Sequence, residues 1–284
     1  MVLLVPGQGS QTPGLLTPWL DAPGAQSALA GFSAAADLDL LALGTTGTAE
    51  QIRDTAVAQP LLTAAALLSA RALDAQPGAV CGHSVGELAA LAIADVIEPY
   101  VAVHLAAVRG RLMAEASALA PTGMCAVLGG DEAQVLAAAT EAGLELAIRN
   151  GPGQLVLSGP DDLITAFAQT PPAGTRVRRL ATAGGFHSSA MRSAVPAFGG
   201  LIASMTANHA AVPVIANADG ALLTDGRELL DRLVGQLTGP VRFDRCLETI
   251  AGLSPTAIRE LAPAGTLTAI TRRALPDPRV LVSA

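Results

Sequence analysis

The sequence predicts an α/β fold: a large domain on a mostly parallel sheet, with a small ferredoxin-like subdomain inserted into it. Three observations carry this. Short apolar runs such as Val2–Val5 alternate with longer helical stretches, the pattern of a parallel sheet covered on both faces. From about residue 124 to 183 the order changes to strand, helix, strand, strand, helix, strand, which is the split β-α-β-β-α-β unit. The chain has 284 residues, 51% of them hydrophobic, enough for one large domain with a smaller one inside it. The expected division is 1–123 with 184–284 as the core and 124–183 as the insertion.

In order along the chain, Val2–Val5 is a short apolar strand, and Pro6-Gly7-Gln8-Gly9-Ser10-Gln11 is a tight loop. Residues 58–73 read as a helix, with Leu61, Leu62, Ala65, Leu68 and Leu73 forming a rough stripe. A buried strand at 79–81 is followed by helices at 84–93 and 100–118. The middle has strands at 124–128, 144–148, 155–158 and 176–181, and helices at 132–142 and 161–169. The large domain resumes with helix 189–205, strand 212–216, helix 227–237, strand 257–261 and helix 266–274.

Composition excludes several functions. All 17 basic residues are arginine. Without lysine there is no Schiff-base chemistry and no Gly-Lys-Ser/Thr phosphate loop. A net charge of −7 and 2% aromatics argue against nucleic acid as a partner. Cys81, Cys125 and Cys246 are widely spaced and read as small core residues in a reducing compartment. The N-terminus has no basic region for a signal peptide, and no apolar run is long enough for a membrane span. A cytoplasmic protein is expected.

The chemistry-bearing pattern is Gly82-His83-Ser84-Val85-Gly86, a nucleophile elbow between an apolar strand and an apolar helix. The bland alternative is a tight turn without chemistry. A serine hydroxyl needs a base. His83 should point away from Ser84 and pack the turn; His104 sits in a helix and His209 in an exposed loop. His187, in Gly184-Gly185-Phe186-His187-Ser188-Ser189, is the well-placed partner. No aspartate stands out as a third member, so a backbone carbonyl can hold the imidazole. Arg109, on an otherwise apolar helix face, needs either a neighbouring carboxylate or an anionic substrate. Gln8 reads as an amide donor toward the elbow if its loop lies alongside.

These residues resemble a known family nearly end to end: the malonyl-CoA:acyl-carrier-protein transacylases and the acyltransferase domains of fatty acid and polyketide synthases. The resemblance rests on Pro6–Gln11, Ala58-Gln59-Pro60, Gly82–Glu87, Arg109-Gly110 with Met113, Asn150-Gly151-Pro152-Gly153-Gln154, Phe186-His187-Ser188 with Met191, and Gly235-Gln236-Leu237 before Pro240-Val241-Arg242-Phe243. It implies a hydrolase-like large domain. It implies Ser84 as the acylated nucleophile, His187 as base, Gln236 as donor of the orienting carbonyl, and Gln8 with the Val85 N–H as oxyanion hole. Arg109 would bind the free carboxylate of malonyl, with Phe186, Gln59 and Asn150 in the substrate site. Phe186 and Val85 are similar to the malonyl-selective members; a phenylalanine there crowds an α-methyl group. Ala262-Pro263-Ala264-Gly265 departs from the family's glycines, and the chain ends sooner than many relatives.

The expected reaction moves malonyl from malonyl-CoA to the phosphopantetheine thiol of an acyl carrier protein by a ping-pong route, without metal or bound cofactor, in a monomer. Arg176, Arg178, Arg179, Arg272 and Arg273 are candidates for a basic patch that meets an acidic carrier, or are solvated charges. The rival readings are an acyl-enzyme hydrolase that edits misloaded carriers and a non-catalytic carrier-binding subunit.

Overall fold

The computed structural model describes residues 1–73 and 76–275 and the backbone of 281–283. Strand β1 (Val2–Val5) opens the chain, followed by helices α1 (Ala25–Ala36), α2 (Leu40–Thr46) and α3 (Thr55–Arg71). Then come β2 (Ala79–Gly82), α4 (Gly86–Ile93) and α5 (Pro99–Ala118). The middle holds β3 (Thr122–Gly129), α6 (Glu132–Glu141), β4 (Glu145–Gly151), β5 (Gln154–Pro160), α7 (Asp161–Gln169) and β6 (Thr175–Arg179). The chain continues with α8 (Val195–Ala203), β7 (Val214–Ile215), β8 (Leu222–Leu223), α9 (Gly226–Gln236), β9 (Val241–Arg242), α10 (Phe243–Gly252), β10 (Ala257–Glu260), α11 (Thr266–Ala274) and β11 (Leu281–Ser283).

Two sheets result. The larger runs β11-β10-β1-β2-β7-β8, parallel except for the edge strand β8. Both faces of β1 are covered, so its Val-Leu-Leu-Val run is apolar at every position rather than alternating. The smaller runs β6-β3-β5-β4-β9, antiparallel up to the β4–β9 pair, which is parallel. That last strand comes from residues 241–242, so the second sheet draws on chain far beyond the β3–β6 stretch.

Helix α3 shows why its stripe was only rough: 13 of its 17 residues are buried. A helix covered nearly all round has no polar face to sharpen the periodicity. It packs against α5, and the two cross where α5 carries Gly110. A Cβ there would lie 2.6 Å from the Thr55 carbonyl oxygen and 3.0 Å from the Ala56 Cα. This close approach sets Arg109 beside the first turns of α3.

Some elements differ from the sequence reading. The helix expected from residue 84 starts at Gly86, because Ser84 takes a left-handed backbone conformation that no helix continues through. The helix expected at 189–205 is a 3₁₀ segment, Ser189–Ala194, followed by α8. The strand expected at 212–216 shrinks to two residues, Pro213 being unable to donate to the ladder. Helices α1, α2 and α10 escaped the sequence reading. Around the Ala262–Gly265 departure, the Glu260 carboxylate accepts from the N–H groups of Gly265, Leu267 and Thr268 and so caps α11. Among the described residues, no single helix is long and apolar enough to cross a membrane.

Candidate active site

Ser84 sits on the sharp turn from β2 into α4 with φ +54°, and the backbone there passes too close to its neighbours for any side chain at the flanking glycines. A Cβ on Gly86 would lie 2.3 Å from the Val5 carbonyl oxygen, and one on Gly82 2.2 Å from the Glu87 nitrogen. The serine Oγ is 2.7 Å from His187 Nε2. His187 also has a left-handed backbone, φ +57°. Its Nδ1 donates to the main-chain carbonyl of Gln236 at 2.8 Å, which leaves Nε2 bare to accept the serine proton. Burial, with the positive charge of Arg109 as the second cause, pushes the His187 pKa down to about 3. The imidazole is therefore neutral at neutral pH.

Asn217 holds the strained turn in place. Its Oδ1 accepts from the Ser84 N–H at 2.7 Å, and its Nδ2 donates to the Gly82 carbonyl. The Asn217 N–H in turn donates to a Glu87 carboxylate oxygen at 2.6 Å. Gln236 ties the pieces together: its Nε2 donates to the Ser84 carbonyl at 3.2 Å and to Glu87, while its Oε1 accepts from Arg109. Burial raises the Glu87 pKa to about 7, against the pull of the Asn217 N–H and the Arg109 charge.

Arg109 is 1% exposed, yet two neutral amides receive its guanidinium. Nη1 donates to Gln59 Oε1 and Nη2 to Gln236 Oε1, each at 2.8 Å; among the described residues Nε has no hydrogen-bond partner. Burial lowers its pKa to about 10, with Glu87 pulling the other way. A cation at that pKa stays charged at neutral pH, the form that binds a carboxylate.

Ser84, His187, Arg109, Gln59, Gln8, Val85 and Phe186 line one cavity of about 120 Å³. The size suits a short acyl group, and Phe186 forms part of the wall. The Gln8 loop does lie beside the elbow, as the amide-donor reading required. The Val85 N–H opens α4, where the first N–H groups of a helix lack intrahelical acceptors. Asn150 is not among the residues lining the cavity. Its Oδ1 meets His83 Nε2 at 3.1 Å, and the His83 ring stands edge-on to Phe243. His83 thus packs the turn, as expected of it. His104 bonds the Ala35 carbonyl on the surface and His209 is exposed. The three cysteines are buried and unpaired. A larger cavity of about 530 Å³, between α1, α3 and the start of α5, holds neither Ser84 nor a histidine, so the chemistry belongs to the smaller one.

Three residues of the network had no role in the sequence reading: Glu87, Asn217 and Thr55. A buried charge at the head of an apolar helix raises for Glu87 the question that Arg109 raised. Thr55 stands four residues before Gln59, one turn away on the same helix face. Asn217 follows a two-residue strand and carries no local signal. Among the described residues, no group of three metal-ligating side chains is placed to hold a metal ion.

A sequence model described as an acyl transferase domain matches residues 2–282. The chain belongs to the acyl transferase family. This acyl transferase is 48% identical over 281 residues to the malonyl CoA-acyl carrier protein transacylase of Mycobacterium tuberculosis, an alignment covering 97% of this chain and 93% of that one. The crystal structure of MCAT from Mycobacterium tuberculosis superposes with a TM-score of 0.95 at 47% identity, covering 100% of this chain and 95% of that one. A type II PKS acyl-carrier protein in complex with its malonyl-transacylase, PlMCAT:AntF, gives a TM-score of 0.92 at 27% identity, covering 100% of this acyl transferase and 95% of that chain.

Proposed function

We propose that this acyl transferase moves malonyl from malonyl-CoA to the phosphopantetheine thiol of an acyl carrier protein through an ester on Ser84. The observation that carries the reading is a Ser84–His187 pair at hydrogen-bond distance, in one short-acyl-sized cavity with a buried arginine held by neutral amides. Arg109 takes the free carboxylate and sets the thioester carbonyl over Ser84 Oγ. His187 Nε2 accepts the serine proton as Oγ attacks, and the oxyanion meets Gln8 Nε2 and the Val85 N–H. His187 returns that proton to the departing CoA thiolate. The carrier thiol then gives its proton to His187, attacks the ester, and releases Ser84 with its proton restored. Phe186 leaves little space for an α-methyl branch.

The same reading takes residues 1–123 and 184–284 as a hydrolase-like core with the ferredoxin-like unit at 124–183 inserted. The strand order β6-β3-β5-β4 and its antiparallel pairing support the second part. Neither metal nor cofactor enters the reaction. The acidic carrier docks where β6 leads into the cavity wall: Arg176 and Arg178 are exposed on β6, and Leu180 to Thr182 just beyond it line the cavity. Arg179 is less available, since it pairs with Asp161. Arg273 bonds Gln154, which shares a register row with Leu128 and Arg176 across the small sheet. A monomer working in the cytoplasm completes the reading.

Intact mass after mixing with malonyl-CoA tests it. The wild type should gain one malonyl group, Ser84→Ala none, and added holo-carrier should remove the group and become malonylated itself. Release of free malonate in place of carrier loading would favour an editing hydrolase. Absence of both adduct and CoA release would defeat both readings.

A further inference from the structure

Between the arginine and the oxyanion hole runs a chain of hydrogen bonds whose direction is fixed at one end. A guanidinium only donates. Arg109 Nη1 therefore requires the oxygen of the Gln59 amide, and finds it at 2.8 Å. The Gln59 NH₂ must then face the other way, where it donates to Thr55 Oγ1 at 3.1 Å and lies 3.3 Å from Met113 Sδ. With a donor already pointing at its oxygen, the Thr55 hydroxyl sends its single proton onward, to Gln8 Oε1 at 2.7 Å. Gln8 has spent its amide oxygen on Thr55, so its NH₂ is the end turned toward the cavity that holds Ser84.

We propose that Thr55 is a positioning residue that sets the amide orientation of Gln8, so that a donor and not an acceptor faces the developing oxyanion. The proposal rests on the reading of Gln8 as an oxyanion donor. Thr55 is 0% exposed and does not line the cavity, so Gln8 is its route to the oxyanion. An amide has nearly the same shape either way round. Steric fit cannot tell the two orientations apart, and the hydroxyl proton does. Without it the Gln8 amide is free to turn over, placing a carbonyl oxygen against negative charge in the transition state. The chain also makes Arg109 the source of the polarity: the cation that clamps the substrate decides, three hydrogen bonds away, which end of Gln8 meets the reacting carbonyl.

Thr55→Val removes the hydroxyl at almost constant volume, and Thr55→Ser keeps it. Single-turnover acylation of Ser84 by malonyl-CoA, followed by intact mass, reads the effect. Gln8→Ala should slow acylation by about 100-fold, the usual loss of one oxyanion donor. Thr55→Val should slow it by roughly 10-fold or more, because a turned amide forfeits part of that same stabilisation. The malonyl-CoA concentration giving half the maximal rate should move by less than about 3-fold, since Arg109 keeps both of its amide acceptors and Gln59 Nε2 keeps Met113 Sδ. Thr55→Ser should recover the wild-type rate, and adding Thr55→Val to Gln8→Ala should slow the reaction no further, since both act through one amide. Thr55→Ala serves as a second hydroxyl-free variant should the valine variant not fold. Wild-type rates in folded hydroxyl-free variants, with Gln8→Ala slow, overturn the role of Thr55 and leave that of Gln8 standing. Additive losses in the double variant also overturn it. A Gln8→Ala enzyme as fast as wild type overturns the oxyanion reading itself.

Discussion

The elbow around Ser84 and the clamp around Arg109 are neighbours in one cavity, yet they are built by opposite means. The elbow is a strained backbone. Ser84 and His187 both have positive φ, and bare Gly82 and Gly86 let β1, β2 and α4 pass within contact that excludes a Cβ. The clamp has ordinary helical backbone; what is unusual is a buried charge whose partners are neutral amides from α3 and the end of α9. One site stores its specialisation in conformation, the other in electrostatics. Gln236 joins them, since its main chain orients His187 while its side chain reaches Ser84, Glu87 and Arg109.

If that contrast is right, steric damage should ruin the elbow first. Gly86→Ala drives a methyl group into the Val5 and Pro6 carbonyls, backbone atoms at the end of β1 that cannot move aside cheaply. The expected loss is about 3 kcal/mol or more of stability, visible as a lowered midpoint in urea unfolding. A variant of unchanged midpoint would show the turn to be less tightly packed than these distances indicate. The clamp should respond differently, in selectivity more than in folding. On the proposed function, Arg109→Ala removes the charged donors that would receive the free carboxylate of the acyl group, so the ratio of malonyl to acetyl transfer should fall by about 100-fold. Competition between malonyl-CoA and acetyl-CoA for Ser84 measures it. An unchanged ratio would mean that the carboxylate is read elsewhere.

The same contrast explains what the sequence revealed. The elbow is written in five consecutive residues, because a tight strand-to-helix turn demands glycine at set offsets. The clamp was visible only as a question: an arginine on an apolar helix announces a need for partners without naming them. Gln59 and Gln236 came from resemblance to relatives, not from spacing. Asn217 was silent, since its hydrogen bonds to the elbow reach residues more than a hundred positions away. The central strands and the β3–β6 order were legible from periodicity and length. Helices α1 and α2 were not, their small and apolar residues giving no contrast between faces. Strand β9 is two residues long and joins its sheet only by tertiary contact.

Asn217→Ala tests whether the strain at Ser84 needs side-chain support. It leaves the Ser84 N–H and the Gly82 carbonyl without their partner in a buried turn. Unsatisfied groups of this kind put the expected loss of stability at about 2 kcal/mol, accompanied by slower acylation. Normal urea midpoint and rate would mean that the backbone alone holds the elbow.

The smallest expected effect concerns charge, and it separates the two regions by sign. His187, on the elbow side, has a folded pKa near 3, below its ordinary 6.5. As pH falls from 6.5 toward 3 the unfolded chain takes up this proton and the folded one does not, so stability is lost. Glu87, which shares the Gln236 side chain with the clamp, has a folded pKa near 7, above its ordinary 4.5. As pH falls from 7 to 4.5 the folded chain takes up that proton first, so stability is gained. The two slopes oppose each other where the windows overlap, between 4.5 and 6.5. His187→Gln, which cannot take up the proton, removes only the first. Its stability relative to wild type should then rise as the pH is lowered through that overlap, by up to about 1 kcal/mol per pH unit. Urea midpoints of both proteins at a series of pH values give the difference, and the constant cost of the substitution cancels in its slope. Parallel curves would mean that His187 titrates at its ordinary pKa. It would then be largely protonated at mildly acidic pH and unable to accept the serine proton there.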